Sequence, residues 1–173
     1  MKHIILIGFM GCGKTRVGRL LSQHLELPFI DMDEKIVERA GMPVTEIFAK
    51  YGEEHFRKLE TETLQGLLAR EERTVISSGG GVPMQSANQP FLAEGIVVYI
   101  KASVEVLMKR LAGDKSRPIL KGLQGDDLRK KIIALKDERD SVYERLSNIM
   151  VETSSKSVSE VVCQIIEGLS KIS

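Results

Sequence analysis

A chain of 173 residues suits one domain, and 42% hydrophobic residues, 28% charged residues and five prolines exclude disordered, collagen-like and low-complexity classes. Twenty-five basic residues against 24 acidic ones leave a formal charge of +1. No global charge excess therefore favours a nucleic-acid or membrane-surface partner, and a small-molecule task within a single domain over residues 1–173 is expected.

The first element in the chain is an apolar strand, His3–Ile7. The opening residues from Met1 to Ile7 place a charge before apolar residues, as a signal peptide does. They run at once into glycines with no small-residue cleavage site, so a buried strand explains them better. The longest apolar runs, Ile4–Ile7 and Ile96–Ile100, fall far short of the roughly 20 residues that span a bilayer. Two cysteines, Cys12 and Cys163, cannot make a disulfide framework or a four-ligand zinc site. A cytoplasmic location is expected. The sequence shows no coiled-coil stripe, and a monomer is expected.

Further strands are read at Pro28–Ile30, Thr74–Ser77, Gly95–Ile100 and Asn148–Val151, and helical periods lie between them. Val17, Leu20, Leu21 and Leu25 share one helix face. Ile47, Phe48 and Tyr51 share another, followed by Phe56, Leu59, Leu64, Leu67 and Leu68 beyond a break at Gly52. Val158, Val161, Val162, Ile165, Ile166, Leu169 and Ile172 form the most regular stripe. Short apolar strands alternating with helices indicate an α/β fold with a parallel sheet. The segment Gly113–Gly125 carries mixed charge and few apolar residues, and reads as a mobile lid over about 112–124.

The sharpest motif is Gly8-Phe9-Met10-Gly11-Cys12-Gly13-Lys14-Thr15, a G-x-x-x-x-G-K-[ST] loop between a strand and a helix. Its glycines let backbone N–H groups turn toward phosphate oxygens. The helix start adds its positive end, Lys14 reaches the β/γ oxygens, and the Thr15 hydroxyl ligates Mg²⁺. A dinucleotide site would need glycine at Met10. No D-x-x-G, N-K-x-D or L-S-G-G-Q occurs, which disfavours switch GTPases and ABC-type ATPases and leaves a small P-loop kinase. Cys12 reads as a tolerated small residue within the loop.

The acceptor side is read from scattered residues. Asp31 and Asp33 follow a strand, where open α/β sheets bind ligands. Asp31 with Glu34 also fits a helix cap, so both uses stand: a cap, or a pair in which one carboxylate supports Mg²⁺ and the other takes a hydroxyl proton. Arg57 and Glu60 are spaced as a surface ion pair, and spacing alone favours that reading over an arginine fork for an anion. Gly79-Gly80-Gly81 after a strand allows close backbone approach to a ligand. Residues 107–145 hold 11 basic and seven acidic residues. Within them, Arg117 stiffened by Pro118 suits closure on the γ-phosphoryl group. Arg139, flanked by Asp137, Glu138 and Asp140, is compatible with a plain salt-bridged helix. His3, His24 and His55 lack a partner motif and receive no catalytic role.

Taken in order, Gly8–Thr15, Phe29–Asp33, Phe56–Glu60, Ser77–Gly81, Arg117-Pro118 and Arg139 with Tyr143 resemble the shikimate kinases, P-loop enzymes of the nucleoside-monophosphate-kinase structural type. The resemblance covers essentially the whole chain. It implies a five-stranded parallel sheet of order 2-3-1-4-5 flanked by helices, and transfer of a phosphoryl group from ATP to the 3-hydroxyl of shikimate in the route to chorismate and the aromatic amino acids. By the same resemblance, Gly11, Cys12, Gly13, Lys14, Thr15 and Arg16 wrap the ATP phosphates. Arg110 stacks on adenine and Arg117 closes on the phosphates. Thr15, Asp31 and Ser77 hold Mg²⁺, the last two through water. Asp33 binds shikimate hydroxyls and accepts the proton, Arg57 and Arg139 grip the carboxylate, and Gly79 and Gly80 line the ring. Lys14, Asp33 and Arg117 are thus the expected catalytic groups.

Overall fold

The residues Ile4–Ile7 form strand β1, and all four are fully buried. A strand covered on both faces belongs inside a sheet. It pairs in parallel with β3 (Val75–Ser77) on one side and β4 (Ile96–Lys101) on the other. The strands β2 (Phe29–Asp31) and β5 (Ile149–Glu152) form the edges, giving the order β2-β3-β1-β4-β5. The computed structural model describes residues 2–172.

Seven α-helices appear among these residues: α1 (Lys14–Leu25), α2 (Met32–Ala40), α3 (Val44–Leu68), α4 (Gln89–Leu92), α5 (Val104–Leu111), α6 (Gly125–Leu146) and α7 (Val158–Ile172). Side chains alternate across the pleat. Ile4, Leu6, Val98 and Ile100 pack with Val17 and Leu21 of α1 and with Val161 and Ile165 of α7. Ile5, Ile7, Ile76 and Tyr99 pack on the other face with Leu64 and Leu67 of α3. Each such aliphatic side chain contributes roughly 1.5–3 kcal/mol by leaving water. Leu128, Ile132 and Leu135 of α6 join the first layer and Tyr143 joins the second, so α6 passes from one face of the sheet to the other.

The expected strands form within one or two residues of their read limits. Gly52 breaks α3 as expected, with φ of 82° inside the segment. Tyr51 is a correction: it is 48% exposed and lies outside the core. The stripe of α7 is buried at Val161, Val162, Ile165 and Leu169, whereas Ile172 at its end is 46% exposed. The α2 helix has no counterpart in the apolar periodicity; with α3 it closes a small separate cluster around Ile36, Ile47 and Phe56. The lid segment is less bare than its composition implies. A 3₁₀ turn at Pro118–Leu120 seats Leu120 in the main core.

Because all pairings are parallel, the carboxyl ends of the strands gather at one edge of the sheet. Ile7 leads into the glycine loop there, and Asp31 pairs in register with Ser77.

Candidate active site

The loop after β1 turns on glycines. Gly8 has φ of 147°, and a Cβ there would lie 2.4 Å from the Ile100 carbonyl oxygen, so no other residue fits. Gly13 caps α1 in the left-handed region, leaving the first N–H groups of the helix directed into the loop. The Lys14 ammonium is buried and donates to the carbonyls of Gly8 at 2.8 Å and Phe9 at 3.1 Å. Its charge is thus stored on the loop's own backbone, at the mouth of an anion site. Cys12 is buried with its Sγ 3.7 Å from Lys14 Nζ, and packs as a small residue. Arg110 donates from Nη1 to the Gly11 carbonyl at 3.0 Å.

Asp31 forms the cap that its spacing with Glu34 suggests. Its Oδ1 accepts from the backbone N–H groups of Asp33 and Glu34 and caps α2, while Oδ2 accepts from the Thr15 hydroxyl at 2.7 Å. The cap orients the carboxylate, and its other oxygen faces the phosphate loop through Thr15. Ser77, buried at the end of β3, completes a set of oxygen donors with Thr15 and Asp31. Hydroxyls and a single carboxylate suit a hard ion that keeps waters and phosphate oxygens in its shell, as Mg²⁺ does.

On the acceptor side the three consecutive glycines meet four charged groups. A Cβ on Gly79 would lie 2.6 Å from Glu60 Oε1 and 3.3 Å from Asp33 Oδ1. One on Gly80 would lie 3.5 Å from Arg139 Nη1, and one on Gly81 only 2.1 Å from Arg57 Nη1. The missing side chains are what allow Asp33, Arg139 and Arg57 to converge on one stretch of backbone. The Tyr143 hydroxyl donates to the Gly80 carbonyl at 2.6 Å and holds α6 against the same stretch.

Arg57 and Glu60 are not the surface pair that spacing favours. Their Nη1–Oε2 bond is 2.8 Å, and the Glu60 side chain is 2% exposed. Sequence spacing locates two residues on one helix face, but only packing decides whether that face is wet. Burial pushes the Glu60 carboxyl up to about 7, against the opposing pull of Arg57. Arg139 is 5% exposed and pairs with none of its acidic neighbours. Its nearby Asp140 turns away to accept from Tyr99 and Lys136. Arg139 Nη1 is buried with no hydrogen-bond partner among the described residues, and its guanidinium carbon stands 5.6 Å from the Phe9 ring centroid. A buried donor without a partner costs about 1–3 kcal/mol, so this one awaits an acceptor.

Arg117 reaches from the lid to Asp33, with Nη1 3.3 Å from Oδ2. Its Nε, 3.7 Å from Asp114 Oδ2, is buried without a hydrogen bond. Burial raises the Asp33 carboxyl above the ordinary carboxylate range; Arg117 and Lys14 oppose the shift and Asp31 adds to it.

Two chambers open from this arrangement. The larger, about 540 Å³, is lined by Gly11, Cys12, Gly13, Lys14, Thr15, Arg16, Asp31, Ser77, Arg110 and Arg117. The smaller, about 260 Å³, is lined by Arg57, Arg139, Glu60 and an apolar wall that includes Phe48, Phe56 and Pro118. Met10, Asp33, Gly79, Gly80 and Arg117 line both. The small chamber lies below the range of drug-sized pockets, roughly 300–1,000 Å³, and suits a compact polar molecule. Every residue expected to bind, ligate or catalyse thus lines one chamber or the other. Sequence reasoning missed Glu60's burial, the apolar wall and Thr153 and Lys156, which line the nucleotide-sized chamber from the stretch between β5 and α7.

No helix among the described residues is long and apolar enough to cross a membrane. The family model for shikimate kinase matches residues 10–170. The shikimate kinase of Geobacter sulfurreducens is 41% identical over 165 residues, covering 95% of this chain and 88% of that protein. The solved shikimate kinase from Acinetobacter baumannii in complex with shikimate superposes with a TM-score of 0.92 at 35% identity, covering 99% of this chain and 94% of that one. A gluconokinase from Sinorhizobium meliloti, at 21% identity and a TM-score of 0.59 over 99% of this chain and 93% of that one, shares the fold alone. Two chambers meeting at one carboxylate on a parallel sheet of this order, and a match over nearly the whole chain, lead to one assignment: the chain belongs to the shikimate kinase family.

Proposed function

We propose that the chain transfers the γ-phosphoryl group of ATP to the 3-hydroxyl of shikimate, yielding shikimate 3-phosphate and ADP on the way to chorismate and the aromatic amino acids. The observation that supports this most is the position of Asp33, partly buried where the two chambers meet, with Lys14 acting on it from one side and the arginine-lined chamber on the other.

ATP occupies the larger chamber with its phosphates on the backbone N–H groups of Gly11–Arg16. Lys14 exchanges its two carbonyl partners for phosphate oxygens, a swap that keeps the ammonium hydrogen-bonded throughout. Arg110 borders the nucleoside end. Mg²⁺ belongs with Thr15, Asp31 and Ser77, whose oxygens suit it, and when bound it neutralises phosphate charge. Shikimate enters the smaller chamber with its carboxylate on Arg57 and Arg139, whose unpartnered Nη1 then gains an acceptor. Guanidinium forks match a carboxylate in geometry as well as charge.

Arg117 bridges the halves of the site. Incoming phosphates compete with Asp33 for it, and when it moves to them the carboxylate is left free to accept a proton. As the 3-hydroxyl oxygen bonds to the γ-phosphorus, the bond from that phosphorus to the β,γ-bridging oxygen breaks. The hydroxyl proton passes to Asp33 and ADP leaves. Phosphoryl transfer needs chiefly alignment and charge neutralisation, and the lid over 112–124 excludes water that would otherwise take the group. The proposal includes a cytoplasmic monomer.

A panel of shikimate, gluconate and nucleoside monophosphates, with ATP and Mg²⁺ and an ADP readout, tests the reading. Turnover with shikimate alone is expected. Turnover with gluconate or a nucleotide in its place would overturn it.

A further inference from the structure

Behind the acceptor chamber lies a chain of polar side chains of which only the first, Glu60, lines a chamber. It begins at Glu60, whose Oε2 accepts from Arg57 Nη1 at 2.8 Å and from Gln85 Nε2 at 3.2 Å. Thr61, the next residue of α3, donates its hydroxyl proton to Asn88 Oδ1 at 2.8 Å, with Gln85 Oε1 at 3.5 Å. Asn88 is fully buried, and its Nδ2 donates to the Val82 carbonyl at 3.1 Å. The amide orientations follow from chemistry. A carboxylate and a carbonyl only accept, so the nitrogen of Gln85 must face Glu60 and that of Asn88 must face Val82.

We propose that Gln85 and Asn88 are positioning residues for the acceptor: through Glu60 and Thr61 they hold α3 at a fixed separation from the triple-glycine stretch and so aim Arg57. The proposal rests on the reading that Arg57 binds the acceptor carboxylate. The segment carrying Gln85 and Asn88 continues directly from Gly81 through two 3₁₀ turns, Val82–Met84 and Ser86–Asn88. Both walls of the small chamber are therefore tied by the same short stretch. The tolerance at the far end is narrow, because Arg57 Nη1 stands 2.1 Å from where a Cβ on Gly81 would be. The other tether of Arg57 is Glu53, 63% exposed, whose ion pair is screened by solvent and holds weakly. Glu60 is the firm tether, and Gln85 shares the oxygen that Arg57 uses.

The groups facing Glu60 are Arg57 from its own helix, Asp33 from α2 and Arg139 from α6, with burial holding its carboxyl near 7. The Gln85 N–H favours the charged form, so its loss moves Glu60 further up and weakens the hold on Arg57 at neutral pH.

The variants Gln85→Met and Thr61→Val keep side-chain volume and remove the hydrogen bonds, with Thr61→Ser as the conservative rescue. In Gln85→Met, KM for shikimate should rise roughly three- to tenfold while KM for ATP and kcat stay within about twofold. The acid limb of kcat/KM for shikimate should move to higher pH. Thr61→Val should raise KM for shikimate in the same way, and Thr61→Ser should restore it. An unchanged KM for shikimate, or a parallel rise in KM for ATP, overturns the proposal. Rotational exchange of the Arg57 guanidinium, followed by ¹⁵N NMR without substrate, supplies a readout independent of the acceptor. It should be slow in the parent and faster in Gln85→Met; equal rates overturn the clamp. A parent that fails to phosphorylate shikimate would defeat the functional reading, while the Arg57 measurement would still decide the clamp.

Discussion

The two halves of the site are built by opposite means. The phosphate cradle comes from one strand–loop–helix stretch, and its donors are mostly backbone N–H groups that no side-chain substitution removes. The acceptor chamber draws Asp33, Arg57, Arg117 and Arg139 from four separate segments onto Gly79–Gly81. Its three arginines stand with Asp33, Glu53 and Glu60, and Arg139 alone has no ion pair among the described residues, which leaves it for a carboxylate. The cradle is therefore a local device that any nucleotide-using relative of the fold can carry. The chamber depends on long-range packing, and it is where selectivity resides.

Substitutions can break this contrast at different points. The largest loss is expected at the shared boundary. Arg117→Ala should lower kcat by roughly 10³-fold or more, as for other arginines on a transferring phosphoryl group, measured by steady-state kinetics; a variant within threefold of the parent would remove that role. Asp33→Asn should lower kcat by roughly 10²–10⁴-fold, the usual range for a lost general base. Its far-ultraviolet circular dichroism and melting midpoint should stay near those of the parent, and retained activity would show that no base is needed there.

Arg57→Ala and Arg139→Ala should act on one side only. Losing a charge-assisted hydrogen bond of about 1.5–3 kcal/mol raises KM for shikimate by roughly 10- to 150-fold, while calorimetric ATP affinity stays near normal. Weakened ATP binding would place both on the wrong side of the site.

The smallest effect sharpens the comparison by pH. Glu60 is raised from its ordinary 4.5 to about 7. The folded protein thus favours the protonated acid, a contribution complete below 4.5 and lost as pH rises through about 7. Glu60→Gln removes that loss, so the variant should melt above the parent at pH 8, by roughly 2–4 °C per kcal/mol relieved. The advantage should vanish at low pH. Shikimate affinity should fall, because a neutral amide holds Arg57 less firmly, and the parent's kcat/KM should decline as pH drops through about 7. A Glu60→Gln variant whose melting midpoint gains nothing on the parent between pH 4.5 and 8 would contradict the sign.

What could be read in the chain follows the same divide. The cradle was legible because eight contiguous residues, Gly8–Thr15, carry it and a preceding apolar strand gives its context. The break at Gly52 was legible because glycine interrupts a helical period. Glu60 was misread because the i,i+3 spacing looks the same on a wet face and a dry one, and the groups that cover it, Gly79, Gln85 and Arg139, are distant in sequence. Gln85 and Asn88 drew no notice, since polar residues after a glycine run look like loop, and their partners lie 24–27 residues upstream. The strand order came from the family resemblance, as periodicity counts strands without ordering them. Asp31 shows a subtler limit: two readings competed in the sequence, and the structure forms the cap with one oxygen while the other accepts from the Thr15 hydroxyl.

The account turns on a carboxylate held by the arginines of the small chamber, and one cycle measures that directly. It compares kcat/KM for the parent and for Arg139→Ala, each with shikimate and with its analogue bearing a hydroxymethyl group in place of the carboxylate. If Arg139 and the carboxylate meet, the two losses overlap: the analogue is poorer than shikimate by a much larger factor for the parent than for the variant, in which Arg57 alone remains. Losses that simply multiply would show that Arg139 and the carboxylate do not touch, and the chamber would have to be assigned to another part of the acceptor.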